Sequence, residues 1–200
     1  LLDVGCGSGS VLAWLAGLGH RTTGVDAHVG AVEEARRRAP DAEVQLGTAE
    51  ALPLADASFD GALLLDVLEH AQDADALGEI GRVLRPGGWV ALTVPACPWL
   101  WSTRDEDAGH LRRYRRKSVL ELVRSAGFVP DRLTHYQFAL LPLVAASRLV
   151  GGRRLRDHED RPSRRLDAAL GAINAAEARL ARRFDLPWGS SIVAVARKPA

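Results

Sequence analysis

Leu1-Leu2-Asp3-Val4-Gly5-Cys6-Gly7-Ser8-Gly9-Ser10 opens the chain, and its reading decides the fold. The first residues read as a short buried strand, interrupted only by Asp3, that runs without a spacer into glycines at 5, 7 and 9. A backbone bare of side chains lets a ligand lie directly against the peptide. The next run, Val11-Leu12-Ala13-Trp14-Leu15-Ala16, is apolar and helix-compatible. Loop amides therefore meet a helix N-terminus, where free N–H groups and the helix dipole favour a negative or polar group.

Outward from that segment, short apolar runs alternate with helical patterns, as expected for a parallel sheet covered on both faces. Strands are predicted near 1–5, 21–26, 42–47, 59–65 and 88–94, and helices near 10–18, 29–39 and 74–85. Leu77, Ile80, Val83 and Leu84 form one stripe of the last helix. Pro86-Gly87-Gly88 is expected to stop it and turn the chain into strand five. A helix over Lys117 to Ala126, a strand near Phe128 to Phe138 and a last strand over Ser191 to Arg197 complete the pattern. A dinucleotide loop requires Gly-x-Gly-x-x-Gly, whereas this chain has Gly-x-Gly-x-Gly, with Ser10 where the third glycine should fall. The second strand ends in Asp26, placing a carboxylate where a ribose diol is gripped.

Asp3 followed by Gly-x-Gly-x-Gly resembles motif I of the class I S-adenosylmethionine-dependent methyltransferases. The resemblance continues in order through Gly47-Thr48-Ala49-Glu50-Ala51-Leu52-Pro53-Leu54, the stretch from Ser58 through Leu65-Asp66-Val67 to His70, and Val83-Leu84-Arg85-Pro86-Gly87-Gly88-Trp89-Val90-Ala91-Leu92. These motifs span roughly the first half of the chain, and four in the right order are more specific than one. The resemblance implies a Rossmann-like, doubly wound, mostly parallel seven-stranded α/β sheet with an antiparallel last strand. It implies S-adenosylmethionine as cofactor, held by Asp3, Gly5, Cys6, Gly7, Gly9, Asp26, Ala27, Thr48, Ala49, Glu50, Asp66 and Val67. Many relatives carry Asp where this chain has Thr48, which leaves the adenine amino contact to the backbone or to Glu50. The chain begins inside a strand and contains no Met, so an N-terminal piece is expected to precede it. In relatives that piece is one or two helices.

The 200 residues suit one domain, and a formal net charge of +1 argues neither for nor against nucleic acid. The two cysteines, Cys6 and Cys97, are far apart and match no metal pattern, so free thiols in a reducing cytoplasm are expected. Cys6 reads as a small space-filling side chain. The longest apolar stretch, Phe138 to Val150, is too short to span a bilayer. It opens an insertion over about 138–188, much longer than the usual connection between strands. Arg153, Arg154, Arg156, Arg161, Arg164 and Arg165 follow it, fitting either a charged surface loop over core packing or a lid and membrane-surface contact. A helix near Leu166 to Phe184 closes the insertion.

Methyl transfer from a sulfonium requires alignment, exclusion of water and, where needed, removal of a proton. Neither a nucleophile nor a metal is expected. The loop after strand five, Pro95 to Tyr114, is expected to choose the acceptor. His110 is the candidate base, with Asp105 orienting it or binding substrate. Trp101, Arg112, Arg113 and Tyr114 are candidate substrate residues, the arginines as partners for a phosphate or carboxylate. Leu65-Asp66-Val67 is unlike the Asn/Asp-Pro-Pro-aromatic motif of DNA amino-methylating enzymes, so nucleic acid is disfavoured. The expected acceptor is a small molecule, a glycan or a lipid-linked intermediate, with oxygen favoured. Two other classes stay open at this stage: a nucleotide-dependent oxidoreductase or sugar-modifying enzyme, and a non-catalytic cofactor-binding partner protein.

Overall fold

A computed structural model describes residues 1–150 and 164–200; the stretch 151–163, with Arg153, Arg154, Arg156 and Arg161, lies outside the described residues. The strands are β1 (Leu2–Val4), β2 (Thr23–Asp26), β3 (Glu43–Leu46), β4 (Phe59–Leu65), β5 (Leu84–Pro95), β6 (Val129–Tyr136) and β7 (Ser191–Arg197). The helices are α1 (Ser10–Gly17), α2 (Val29–Arg38), α3 (Asp73–Val83), α4 (Thr103–Asp107), α5 (Arg116–Ser125), α6 (Leu141–Val150) and α7 (Arg164–Ala181). Leu68–His70 and Pro98–Leu100 form single 3-10 turns.

The seven strands lie in the order β3-β2-β1-β4-β5-β7-β6. β1 to β5 run parallel, and β7 slots antiparallel between β5 and β6. The chain walks outward from β1 to β3, then returns to the other side of β1 as β4. That reversal opens a crevice beyond the carboxyl ends of β1 and β4, where open α/β sheets bind ligands.

Central strands covered on both faces need continuous apolar runs, and Leu2, Val4, Ala62, Leu64, Val90, Leu92 and Val94 are accordingly buried. Leu77, Ile80 and Val83 of α3, together with Val119 and Val123 of α5, pack into that core. A separate cluster joins Leu12 of α1, Val32 and Ala35 of α2, and Cys6.

Two elements depart from the sequence expectation. Pro86-Gly87-Gly88 does not precede β5 but lies within it. Phe59 pairs with Leu84 and Gly61 with Trp89, so the intervening residues are taken up in a register shift. Gly87 is left-handed at φ 77°, and Gly61 leaves room for the Trp89 indole, which lies 2.3 Å from where a Cβ would stand. Residues 103–107, expected as loop, form α4 because Ser102 and Asp105 cap each other's backbone in a capping box. In the insertion, Glu177 of α7 accepts the amides of Phe138 (2.8 Å) and Ala139 (2.9 Å), tying α7 to the approach to α6. No helix among the described residues is long and apolar enough to cross a membrane.

Leu64 is fully buried near the carboxyl end of β4. Leu64→Ala is expected to lower the unfolding free energy by about 2–5 kcal/mol, seen as a lower urea midpoint at unchanged slope. A loss near zero would contradict its place in the core.

Candidate functional site

Gly5, Gly7 and Gly9 all adopt left-handed backbone, at φ 69°, 52° and 78°, a region that strains other residues. The amides of Gly5 and Cys6 donate to Val25 O at 2.8 and 3.1 Å, holding the turn against β2. The glycines have different tasks. A Cβ at Gly5 would stand 2.6 Å from Val67 Cγ2, and one at Gly9 would stand 2.8 Å from Ala35 Cα, so both positions permit close packing. Among the described residues nothing lies within 4 Å of a Cβ at Gly7, leaving open room beside its backbone. The Cys6 side chain fills the apolar cluster of Leu12, Val32 and Val44, as a small space-filling residue does, and burial pushes its thiol up to about 12.

A cleft of about 510 Å³ opens at the strand-order reversal, and Gly5, Asp26, Ala27, Thr48, Ala49, Glu50, Asp66 and Val67 line it. His28, Gly47, His70, Ala71 and Ala108 line it as well. His28 went unnoticed in the sequence although it lies only two residues after Asp26; Ala108 carries no sequence signal. The Asp26 carboxylate accepts Gly7 N at 2.8 Å and His28 N at 2.9 Å, so it braces the glycine turn while facing the cleft. Glu50 accepts the Gln72 amide at 2.9 Å just ahead of α3, and that bond holds its pKa below the usual range. Asp66 sits at φ 55° at the end of β4, steering the chain into the cleft wall, and accepts from Thr93 Oγ1 at 3.0 Å.

Asp3 is buried behind this turn, and its Oδ2 has no hydrogen-bond partner among the described residues. Burial first, and then the Asp26 charge, push its carboxyl up to about 7. An unpaired buried carboxyl oxygen, an open glycine face and a braced carboxylate together suit a ligand with a diol and a cationic amino-acid end.

Asp105 organises the other wall. Its side chain is wholly buried and accepts Ser102 N (2.9 Å), Arg113 Nε (2.7 Å), His110 Nδ1 (3.1 Å) and Arg148 Nη1. Burial opposes its charge, but Arg113 and then Arg148 outweigh it and hold the carboxyl down to about 2. Asp105 therefore positions His110 and cannot itself touch a substrate. Two further expectations are corrected here. Arg113 is buried and committed to Asp105 and to Ala96 O (2.8 Å). Tyr114 is buried, with its hydroxyl at 3.0 Å from Leu68 O and 3.1 Å from Asp73 Oδ2. Both were legible as loop residues, but loop placement alone does not reveal a turned-in side chain. Arg112 pairs with Asp73 at 2.8 Å, and Trp101 stays exposed with its Nε1 at 3.3 Å from Glu106.

His110 meets His70 edge to face, ring centres 4.8 Å apart and planes at 78°. His70 Nδ1 lies 3.3 Å from Gly109 O. Beneath them Glu69 is 1% exposed, its Oε2 is unpartnered among the described residues, and burial pushes its carboxyl up to about 7.

A methyltransferase domain model matches residues 2–92, the span that builds the glycine turn and the first four strands. The chain is 34% identical over 137 residues to a protein of Mycolicibacterium smegmatis named "Probable S-adenosylmethionine-dependent methyltransferase", covering 66% of this chain and 53% of that one. Its fold superposes on a SAM-dependent methyltransferase of Methanosarcina mazei with a TM-score of 0.66 at 19% identity, covering 99% and 91% of the two chains. The chain belongs to the class I S-adenosylmethionine-dependent methyltransferases. Its cofactor is S-adenosylmethionine, and the Asp3, Gly7 and Asp26 features fit that ligand. An O-methyltransferase of Penicillium expansum is 44% identical over 100 residues, covering 46% of this chain and 36% of that one. This methyltransferase chain spans about half or less of the length of these curated relatives.

Asp26→Ala is expected to weaken S-adenosylhomocysteine binding by about 10- to 100-fold, the loss of one or two charge-assisted hydrogen bonds, measured by calorimetry. Unchanged affinity would contradict its place in the cofactor wall. The second expectation concerns Asp3. With a folded pKa raised to about 7, Asp3 keeps a proton between about pH 4 and 7 that the unfolded chain has released. Its contribution to stability therefore falls as pH rises through that window. Asp3→Asn should thus gain stability relative to the parent at pH 8 compared with pH 5, read by urea denaturation at both values.

Proposed function

We propose that this protein transfers the methyl group of S-adenosylmethionine to an oxygen of a small acceptor, a free small molecule, a glycan or a lipid-linked intermediate. The observation that carries the reading is the imidazole of His110. It packs on His70, a residue of the cleft wall, and its Nδ1 is bound to the buried Asp105 carboxylate. Donation of Nδ1–H to Asp105 fixes the tautomer and leaves Nε2 as the proton acceptor.

When bound, S-adenosylmethionine supplies a methyl group already activated by its sulfonium. The chain's own task is then to align the acceptor, exclude water and take up a proton. Nε2 of His110 takes the hydroxyl proton as the acceptor oxygen takes the methyl group. The ionised Asp105 stabilises the resulting imidazolium. Trp101, exposed on the same loop, offers an apolar face to the acceptor. The name of the Penicillium expansum relative supports oxygen as the acceptor atom.

The test is transfer of an isotope-labelled methyl group to a panel of small molecules offering hydroxyl, amine or nucleophilic carbon acceptors, followed by mass spectrometry. On any acceptor found, His110→Ala should lower kcat by about 10²- to 10⁴-fold, with S-adenosylhomocysteine affinity unchanged. Full kcat in that variant would remove His110 from proton transfer. Methylation confined to nitrogen or carbon acceptors would overturn the oxygen assignment.

A further inference from the structure

Glu69, His70 and His110 are brought together by the fold in a way no spacing in the chain discloses. One carboxylate oxygen of Glu69 and one ring nitrogen of each histidine lie within 4.8 Å of one another. Ligands held tetrahedrally at about 2.0–2.2 Å from one zinc ion stand about 3.3–3.6 Å apart, so side-chain rotations of an ångström or so suffice to close the set.

The surroundings of the three groups match those of metal ligands. A ligating histidine donates its other ring N–H to a carboxylate or a backbone carbonyl, which fixes the tautomer and orients the ring. His110 Nδ1 is held by the Asp105 carboxylate at 3.1 Å, and His70 Nδ1 faces Gly109 O at 3.3 Å. Both bonds leave Nε2 as the lone-pair nitrogen. The third group is a carboxylate buried to 1% exposure with an oxygen that finds no partner among the described residues. Such a group is costly unless something satisfies it. The nearby cation, Arg113, is already bound to Asp105 and Ala96 O and does not reach it.

We propose that Glu69, His70 and His110 bind a divalent first-row transition-metal ion at the acceptor end of the cofactor cleft. Two imidazoles and one carboxylate favour zinc, cobalt, nickel or iron over magnesium, which prefers oxygen ligands. Three protein ligands leave coordination positions open, and His70 lines the cleft, so an open position is available to an acceptor hydroxyl. The ion would acidify that hydroxyl, whose proton would pass to solvent water, and His110 Nε2 would hold the ion in place of the proton. The inference rests on the reading of this cleft as the S-adenosylmethionine site, and it gives His110 Nε2 a ligand's role in place of the base's.

The experiment uses the full-length protein, dialysed against chelator and then titrated with Zn²⁺ by calorimetry and with Co²⁺ by visible absorption. The expected result is one ion per chain, d–d bands on Co²⁺ addition, and no competition from equimolar Mg²⁺. Glu69→Gln and His70→Asn should each weaken binding at least about tenfold, while His20→Asn, a surface histidine elsewhere, should not. Thermal melts of the same variants establish that they are folded; should Glu69→Gln fail to fold, His70→Asn on its exposed ring carries the test. Absence of stoichiometric binding overturns the site, as does binding that survives His70→Asn and Glu69→Gln unchanged. S-adenosylhomocysteine titrated into the same metal-free sample separates the two readings. Cofactor binding without metal binding overturns the metal site alone, and loss of cofactor binding overturns the reading on which it rests.

Discussion

The chain leaves β1 through three left-handed glycines, and the ligand end of the sheet is built around that turn. Two of them allow packing that any Cβ would prevent, Gly5 against Val67 and Gly9 against α2. The third leaves an open face. Asp26 locks the turn by accepting the Gly7 amide, so the residue that faces the ligand also holds the loop. β1 is flanked by β2 on one side and β4 on the other. A shift of the turn would therefore displace both walls of the cleft. Binding geometry and core packing share one constraint here.

In the loop after β5 a single buried carboxylate has the corresponding role. Asp105 gathers Ser102, His110, Arg113 and, from the insertion, Arg148. Removing one partner of a buried charge cluster leaves an uncompensated charge, a cost of about 3–5 kcal/mol. The loop after β5 is consequently tied together by one side chain, although most of its residues have no regular structure. Arg148 further bonds Leu100 O and Ser102 Oγ, so α6 is fastened to the wall that carries His110.

The cleft wall was legible because its residues follow one another at the ends of successive strands. A glycine turn, Asp26 and Asp66 each carry a local signal, and α/β topology guarantees that strand ends converge. Cys6 was read as space-filling, and the adjacent Gly24 opens the slot it fills. Arg113 and Tyr114 misled because position in a loop says nothing about which way a side chain points. A basic-aromatic pair in a loop reads as exposed, yet Asp105 and Asp73 draw both side chains inward. The Pro86-Gly87-Gly88 segment has turn chemistry but is absorbed as a register shift, since Phe59 and Gly61 of β4 hold pairing partners on either side of it.

Periodicity and glycine spacing determined, without coordinates, the α/β architecture, and four motifs in order carried the family resemblance, which implied the cofactor. These are local properties, written in windows of a few residues. The tertiary structure alone decided which polar groups are buried and with whom. Glu69 and His110 are forty-one positions apart in the sequence, and only the return of the β5–α5 loop over the 3-10 turn after β4 brings them together, through bonds such as Leu111 N to Glu69 O at 2.7 Å. Burial is a property of the whole packing, so the paired Asp105, and the oxygens of Asp3 and Glu69 left unpaired among the described residues, exist only once the chain has closed on itself.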